Sequence, residues 1–131
     1  MPDPLAVVEA GFTSRTAVEL RLGEHPVVVD PTDRATPRPV HLLIGAHAAD
    51  VASAARIHLE RDGDPGDVEV VVTLDEGAPP LLYRRVIVPV HLRGGDAQRL
   101  AYALDHTDTT RLLRPAFTIR TAVEFDGAAL Y

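Results

Sequence analysis

The chain of 131 residues carries a formal net charge of −6, contains no cysteine, and is 46% hydrophobic. This length and apolar content suit one globular domain over residues 1–131 and exclude a disordered chain. The acidic balance disfavours nucleic acid and anionic membranes as partners. The absence of cysteine excludes disulfides, thiolate metal sites and thiol catalysis.

The N-terminal part of the chain predicts short strands. Segments 5–10 and 15–22 are strand-like, and in the second one apolar and polar residues alternate, which is typical of a half-buried strand. The turn at 23–26, followed by the apolar residues 27–29, predicts a hairpin. The segment 30–39 is rich in proline and polar residues, which is typical of a loop.

The longest uninterrupted apolar segment, Pro39–Asp62, predicts a long central helix. A helix this apolar should be buried nearly all round, in part against a second copy of the chain, so we expect a homodimer. Asp50, Arg56 and three histidines make a core helix a better prediction than a membrane span. The N-terminus lacks a basic start before an apolar run, which predicts no signal peptide and a cytoplasmic protein.

Strands are predicted again after this helix, at residues 68–74, 81–92 and 116–125. Because Pro89 cannot donate a hydrogen bond to a neighbouring strand, the second of these strands should lie at an edge or be bulged. A second helix is expected between the last two strands, with Asp96 as its N-cap. Most strands follow one another in hairpins, so the predicted class is α+β with a mainly antiparallel sheet and a long buried helix.

Two stretches resemble the OsmC/Ohr family, the osmotically inducible and organic-hydroperoxide-resistance proteins. The stretch PVHLLIGAHAAD, residues 39–50, is similar to the family's helix start, P-E-x-L followed by A-H-A-A-C. The stretch LDHTDTTRLLRPAFTI, residues 104–119, lies where the family has C-P-V-x-x-x-L before its last strand. The order of strands and helices also agrees. The resemblance implies a tightly interwoven homodimer with two small, mostly apolar pockets at the subunit interface.

The departures from the family concern its chemistry. Two cysteines reduce organic hydroperoxides in the family, and the resemblance places Asp50 and Thr107 at their positions. A carboxylate cannot replace a thiolate in attacking the O–O bond, so the thiol chemistry is absent. The family's glutamate at the helix start is Val40 here, and the arginine that pairs with it in Ohr-type members has its nearest counterpart in Arg15.

Asp50 and His47 are three residues apart and therefore share a helix face. One hypothesis is a protein that binds a small apolar or amphipathic molecule in the former peroxide pocket. The alternative is a repurposed enzyme of specialised metabolism in which Asp50, its pKa raised by burial, performs acid–base chemistry with His47 and Thr107. A third is a regulatory partner that forms mixed dimers with a cysteine-bearing relative. If Asp50 is only structural, its partner should be His47, Thr107 or an arginine such as Arg15 or Arg111.

The remaining candidate residues could bind a ligand or a metal. The expected ligand-binding residues are Val40, His41, Arg15, His106 and Arg111. Arg84 is interpreted as a solvated or interface charge, although Arg84 or Arg111 could hold an anion. Four residues have the ligand types of a divalent metal site, namely His47, Asp50, His106 and Asp108. Because their spacing is unspecific, we expect no metal and no cofactor.

Overall fold

The computed structural model describes residues 7–61, 63 and 66–131. Over these residues the elements follow the order β-β-β-α-β-β-α-α-β-β. The chain forms two compact units, the first of which ends at Leu43 and the second of which runs from Ile44 to Tyr131. The single domain expected over residues 1–131 stays a prediction.

The first unit contains a three-stranded antiparallel sheet in the order β1-β2-β3. Its strands are β1 (Glu9–Phe12), β2 (Val18–Leu22) and β3 (His25–Val29). The predicted hairpin is confirmed, but its turn is shorter than expected, because the pairing continues to Leu22 opposite His25. Gly23 in that turn has a φ of +63°, the left-handed conformation that a two-residue hairpin turn requires.

The strand predicted at 5–10 is misplaced. Residues 5 and 6 lie outside the described residues, and β1 includes Gly11, which was expected to break it. Gly11 pairs with Glu19 of β2 in a regular antiparallel register. The backbone pairing thus overrides the weak strand propensity of glycine at this position.

The predicted central helix is confirmed as α1, which spans Pro39–Glu60. Its buried residues recur every four positions and form one stripe, at His47, Val51, Ala55 and Leu59. Other apolar side chains of this helix are exposed, among them Leu43 and Ile57. A single chain thus covers one stripe of α1, and the expected burial of the rest against a second copy stays a prediction.

The second unit contains a four-stranded sheet in the order β4-β5-β6-β7. Its strands are β4 (Glu69–Asp75), β5 (Leu81–Ile87), β6 (Thr118–Phe125) and β7 (Ala128–Ala129). The pairs β4–β5 and β6–β7 are antiparallel, whereas β5 and β6 are parallel. Parallel neighbours need a long crossover, and this one carries the helices α2 (Gly94–Leu104) and α3 (Asp108–Leu113). The α+β class with a mainly antiparallel arrangement is confirmed.

Three details of this unit differ from the sequence-based expectations. The strand β5 is central and ends at Ile87, so Pro89 lies after the strand and neither forms an edge nor a bulge. The helix α2 begins three residues early, which makes Arg93 its N-cap and places Asp96 in its first turn. The short helix α3 was not predicted, since six residues carry too little periodicity to show in a sequence.

The core of the second unit joins α1 and α2 to the sheet. It contains Val51 and Ala55 from α1, Leu100 and Leu104 from α2, and Val86 and Val123 from the sheet, all fully buried. This packing fixes the face of α1 that turns inward. Within the described ranges, no helix is long and apolar enough to cross a membrane.

Truncation of Leu100 tests this core. Leu100 is fully buried, so Leu100→Ala should lower the free energy of unfolding by about 2–5 kcal/mol through lost burial and the cavity left behind. Leu112, which is largely exposed, provides the matched control. Leu112→Ala should change the free energy of unfolding by less than about 1 kcal/mol. Urea denaturation of both variants measures the difference, and equal effects would contradict the core assignment.

Candidate functional site

The inward face of α1 meets the start of α3 inside the second unit. The helix α1 supplies His47 and Asp50, and the start of α3 supplies three threonines, Thr107, Thr109 and Thr110. Thr107 is the N-cap of α3, and its side-chain oxygen accepts a hydrogen bond from the backbone N–H of Thr110 at 3.3 Å. The cap fixes where the first turn of α3 begins and thereby which threonine faces Asp50.

Thr109 connects Asp50 to His47. Its hydroxyl lies 2.7 Å from Oδ2 of Asp50, and its backbone N–H donates to the same oxygen at 3.0 Å. The same hydroxyl lies 2.7 Å from Nδ1 of His47. A hydroxyl has one proton, so Thr109 donates to the carboxylate and accepts from the histidine. We call this arrangement the Asp50–Thr109–His47 chain, and it assigns the proton of His47 to Nδ1.

The pKa of Asp50 is lowered from its ordinary value of 3.8. Burial alone would raise this pKa, but the hydrogen bonds from the side chain and backbone of Thr109 outweigh it, with smaller contributions from Thr107 and His47. The expectation that burial raises the pKa of Asp50 is therefore wrong. The main partner of the carboxylate is Thr109, which the sequence analysis did not consider, because its position depends on the unpredicted helix α3.

His47 is fully buried, with 0% of its surface exposed. Its pKa is lowered below 6.5 by burial first and by the positive charge of Arg84 second, while Asp50 opposes the shift. The histidine is therefore neutral, with a proton on Nδ1 and a free lone pair on Nε2. Among the described residues, Nε2 of His47 is the one buried side-chain nitrogen or oxygen without a hydrogen-bond partner.

Arg84 is also fully buried, with 0% of its side chain exposed, so its interpretation as a solvated charge is wrong. It donates to the hydroxyls of Thr110 (2.8 Å) and Thr121 (2.7 Å and 2.9 Å). It also donates to the backbone carbonyl of Leu104 at 3.3 Å and to the carboxylate of Asp105 at 3.1 Å. These acceptors use all five N–H groups of the guanidinium. Burial lowers the pKa of Arg84, and Asp105 opposes this.

The strand pattern explains why Arg84 lies inside. In β5, burial alternates, and Leu82, Arg84 and Val86 all point to the buried face. The sequence contained this signal, because apolar residues two positions away flank Arg84 on both sides. The charge of the side chain led to the opposite prediction. The acceptors Thr110, Thr121 and Asp105 could not be identified from the sequence, since they come from three separate elements.

Asp50, His47 and Thr107 lie in one neighbourhood of the second unit, and the expected ligand-binding residues of that unit, His106 and Arg111, lie at its surface. His106 is exposed, and its Nδ1 lies 2.9 Å from the carbonyl oxygen of Tyr102. Arg111 is exposed and pairs with Asp108. The remaining candidates, Arg15, Val40 and His41, are exposed residues of the first unit. Their role in ligand binding stays a prediction.

The metal site considered from the sequence is not formed. Within the part of the chain that the structure describes, no group of three or more His, Asp or Glu residues could hold a metal ion. Nδ1 of His47 is occupied by Thr109, and the carboxylate of Asp108 is occupied by Arg111.

A substitution at Thr109 tests the Asp50–Thr109–His47 chain. Thr109→Val keeps the branched shape but leaves Nδ1–H of His47 without an acceptor and removes one donor from Asp50. We expect the free energy of unfolding at pH 7 to fall by about 1–3 kcal/mol in urea denaturation. Thr109→Ser keeps the hydroxyl and should lower the free energy of unfolding by less than Thr109→Val.

The pH dependence provides the control for this substitution. A carboxylate with a lowered pKa stabilises the folded state above its unfolded pKa of 3.8, and this contribution disappears as the pH falls through the lower folded value. The difference in the free energy of unfolding between wild type and Thr109→Val should therefore become smaller in acid. A difference in the free energy of unfolding that is absent at pH 7, or that grows in acid, would contradict the Asp50–Thr109–His47 chain.

The protonation state of His47 gives a second test. Nitrogen-15 NMR of the imidazole should show a neutral ring at pH 6.5 with its proton on Nδ1. Because folding lowers this pKa, the contribution of His47 to stability is present above pH 6.5 and is lost as the pH falls below it. Thr109→Val should redistribute the tautomers. A wild-type ring with its proton on Nε2, or one that is half protonated above pH 6.5, would refute the assignment.

The fold is similar to that of solved OsmC and Ohr proteins. An OsmC-like protein from Mycoplasma pneumoniae superposes with a TM-score of 0.74 at 11% identity, covering 95% of this chain and 99% of that one. An organic hydroperoxide resistance protein from Elizabethkingia anophelis gives 0.73 at 14% identity, covering 95% and 100%. OhrB of Bacillus subtilis gives 0.62 at 17% identity, covering 90% and 96%.

The sequence alone gives no such match, since no protein-family model and no curated protein matches it. The resemblance inferred from the stretches 39–50 and 104–119 is thus confirmed by the fold. With no cysteine anywhere in the sequence, the thiol chemistry of hydroperoxide reduction is absent. The chain has the OsmC/Ohr fold and contains neither of the two reactive cysteines of OsmC/Ohr proteins.

Proposed function

We propose that this chain is a cysteine-free protein of the OsmC/Ohr fold that forms a homodimer and binds a small, largely apolar molecule beside Asp50. The binding site is the pocket that contains the reactive thiols in OsmC/Ohr proteins. Asp50 and Thr107 stand at the thiol positions implied by the resemblance, and His47 lies next to them. The molecule is bound and not reduced.

The observation that carries this proposal is the unpartnered Nε2 of His47. Every other buried side-chain nitrogen and oxygen among the described residues has a hydrogen-bond partner. A buried acceptor without a donor costs about 1–3 kcal/mol of stability. A bound molecule with one hydroxyl or N–H group would satisfy Nε2, and the rest of the molecule would be apolar.

The geometry does not favour the acid–base enzyme. A general acid or base works best when its pKa lies near the operating pH, and a carboxyl group reaches that range when its pKa is raised. The pKa of Asp50 is lowered, and its Oδ2 already accepts two hydrogen bonds from Thr109. These bonds make the carboxylate a weak base and give it a positioning role toward His47.

Exposed apolar side chains of α1 support the homodimer. The helix buries one stripe, but Ile57 is 63% exposed, and Val40 and Leu43 are exposed as well. Large apolar side chains that recur on one helix mark a surface that is covered in the functional assembly. A second copy of the chain would cover it, as the resemblance to OsmC/Ohr proteins implies.

Native mass spectrometry of the gently purified protein tests both parts of the proposal. We expect a dimer that carries an additional organic mass, which is released when the same sample is denatured. His47→Leu removes the acceptor Nε2 and should reduce the occupancy of that mass roughly tenfold. A dimer without any additional mass would argue against a bound molecule, and a monomer would argue against the homodimer.

Two variants that add the same charge distinguish a specific effect on the dimer interface from general destabilisation. Ile57→Asp places a carboxylate on the exposed apolar face of α1 and should convert the dimer to monomer in sedimentation velocity. Thr73→Asp adds the same charge at an exposed position of β4 and should leave the dimer intact. If both variants behave alike, the face of α1 around Ile57 is not the interface.

A further inference from the structure

A cleft of about 250 Å³ lies in the second unit, apart from Asp50 and His47. It is formed by α2, by the segment that follows α3, by β6 and by the end of the chain. The residues that give it its chemistry are Tyr102, Asp105, Arg114, Thr121 and Tyr131. None of them belongs to the Asp50–Thr109–His47 chain. The proposed function leaves this cleft unused.

Two arginines share one carboxylate beside the cleft. Oδ1 of Asp105 accepts from Arg84 at 3.1 Å and from Arg114 at 3.0 Å. Asp105 alone therefore does not neutralise both guanidinium groups. Arg84 is enclosed, and all its N–H groups are used, whereas Arg114 lies at the cleft with donors that Asp105 does not use.

Arg114 is free to bind a second anion. About half of its side chain is exposed, and one terminal nitrogen contacts Asp105. Among the described residues, no other carboxylate lies within ion-pair distance of this guanidinium. A guanidinium has five N–H donors in a planar fork, which matches a carboxylate in a bidentate arrangement.

The rest of the lining suits a flat apolar body. The rings of Tyr102 and Tyr131 both line the cleft and are largely exposed, while Ile119 adds an aliphatic surface. The ring of Tyr102 packs against that of His106 with 4.6 Å between centroids, and the area that both tyrosines leave exposed offers a stacking surface for another ring. The volume is below the range of about 300–1,000 Å³ that holds drug-sized molecules, so the ligand must be small.

From this charge, lining and volume, we propose that the cleft is a binding site for a small aromatic carboxylate. The carboxylate pairs with Arg114, and the ring lies against Tyr102 and Tyr131. Asp105 holds Arg114 in place and is itself neutralised by Arg84. The cleft therefore selects an anion although it contains an acidic residue.

Benzoate, benzamide and benzamidine are the probes, because they share one shape and differ in charge. Chemical-shift titration of the full chain should show benzoate perturbing the amides of Tyr102, Thr121 and Tyr131, and binding about tenfold or more tightly than benzamide. Benzamidine should bind most weakly. Equal affinity for benzoate and benzamide, tighter binding of benzamidine, or no saturable shifts with benzoate would each overturn the proposal.

Two arginine variants with the same charge change supply the control. Arg114→Gln should weaken benzoate binding roughly tenfold or more, because it removes the charged donor. Arg120→Gln removes an exposed charge from β6 at a residue that does not line the cleft, and should leave the affinity unchanged. Equal losses in both variants would mean that net charge and not the cleft binds benzoate, which overturns the proposal.

The titration also separates this cleft from the site near Asp50. Benzoate shifts confined to the amides of Asp50 and Thr109 would overturn the assignment to the cleft and would place the anion in the proposed pocket instead. Shifts at Tyr102 and Tyr131 that disappear in Arg114→Gln would support the cleft, whatever mass accompanies the dimer in native mass spectrometry.

Discussion

The arrangement of the second unit depends on the need to satisfy a carboxylate placed in an apolar helix. Asp50 is partly buried, and an unpaired carboxylate there would cost several kcal/mol. Thr109 meets this need with two donors, its hydroxyl and its backbone N–H. That contact requires the start of α3 to lie against α1, and the cap by Thr107 fixes the first turn of α3 that makes it possible. One residue in α1 therefore helps to fix the position of a helix far along the sequence.

A second constraint acts from the other side of α3. The buried guanidinium of Arg84 needs acceptors, and it finds them in Thr110 of α3, Thr121 of β6 and the end of α2. Removing one partner of a buried charge is more costly than the pair is stabilising, so these elements are tied together. Burial first, and the charge of Arg84 second, lower the pKa of His47, which keeps the ring neutral and leaves Nε2 as an acceptor. The two networks meet in the first turn of α3, where Thr109 and Thr110 are neighbours.

The sequence predicted what depends on periodicity and local order. It predicted α1 from its apolar run, the hairpin of β2 and β3 from alternation, and the fold from the stretches at 39–50 and 104–119 together with the order of strands and helices. It did not predict Thr109 or Arg84, because their importance comes from contacts between distant elements. It also missed the parallel pairing of β5 and β6, since hairpins dominated the pattern elsewhere and the crossover helices were only partly recognised. The apolar residues of α1 that one chain leaves exposed were expected to meet a second copy, and that expectation stays a prediction.

We propose that Asp50 and Thr107 face each other at the positions that the resemblance assigns to the two thiols of OsmC/Ohr proteins. A chain carrying both Asp50→Cys and Thr107→Cys tests it directly, because two sulfurs bridge only when their Cβ atoms lie about 3.5–4.5 Å apart. Under mild oxidant, intact-mass and thiol-labelling measurements should show an intramolecular disulfide in this variant and none when Asp50→Cys is combined with Thr73→Cys. Two free thiols in the first variant would contradict the correspondence between these positions and the former thiol site.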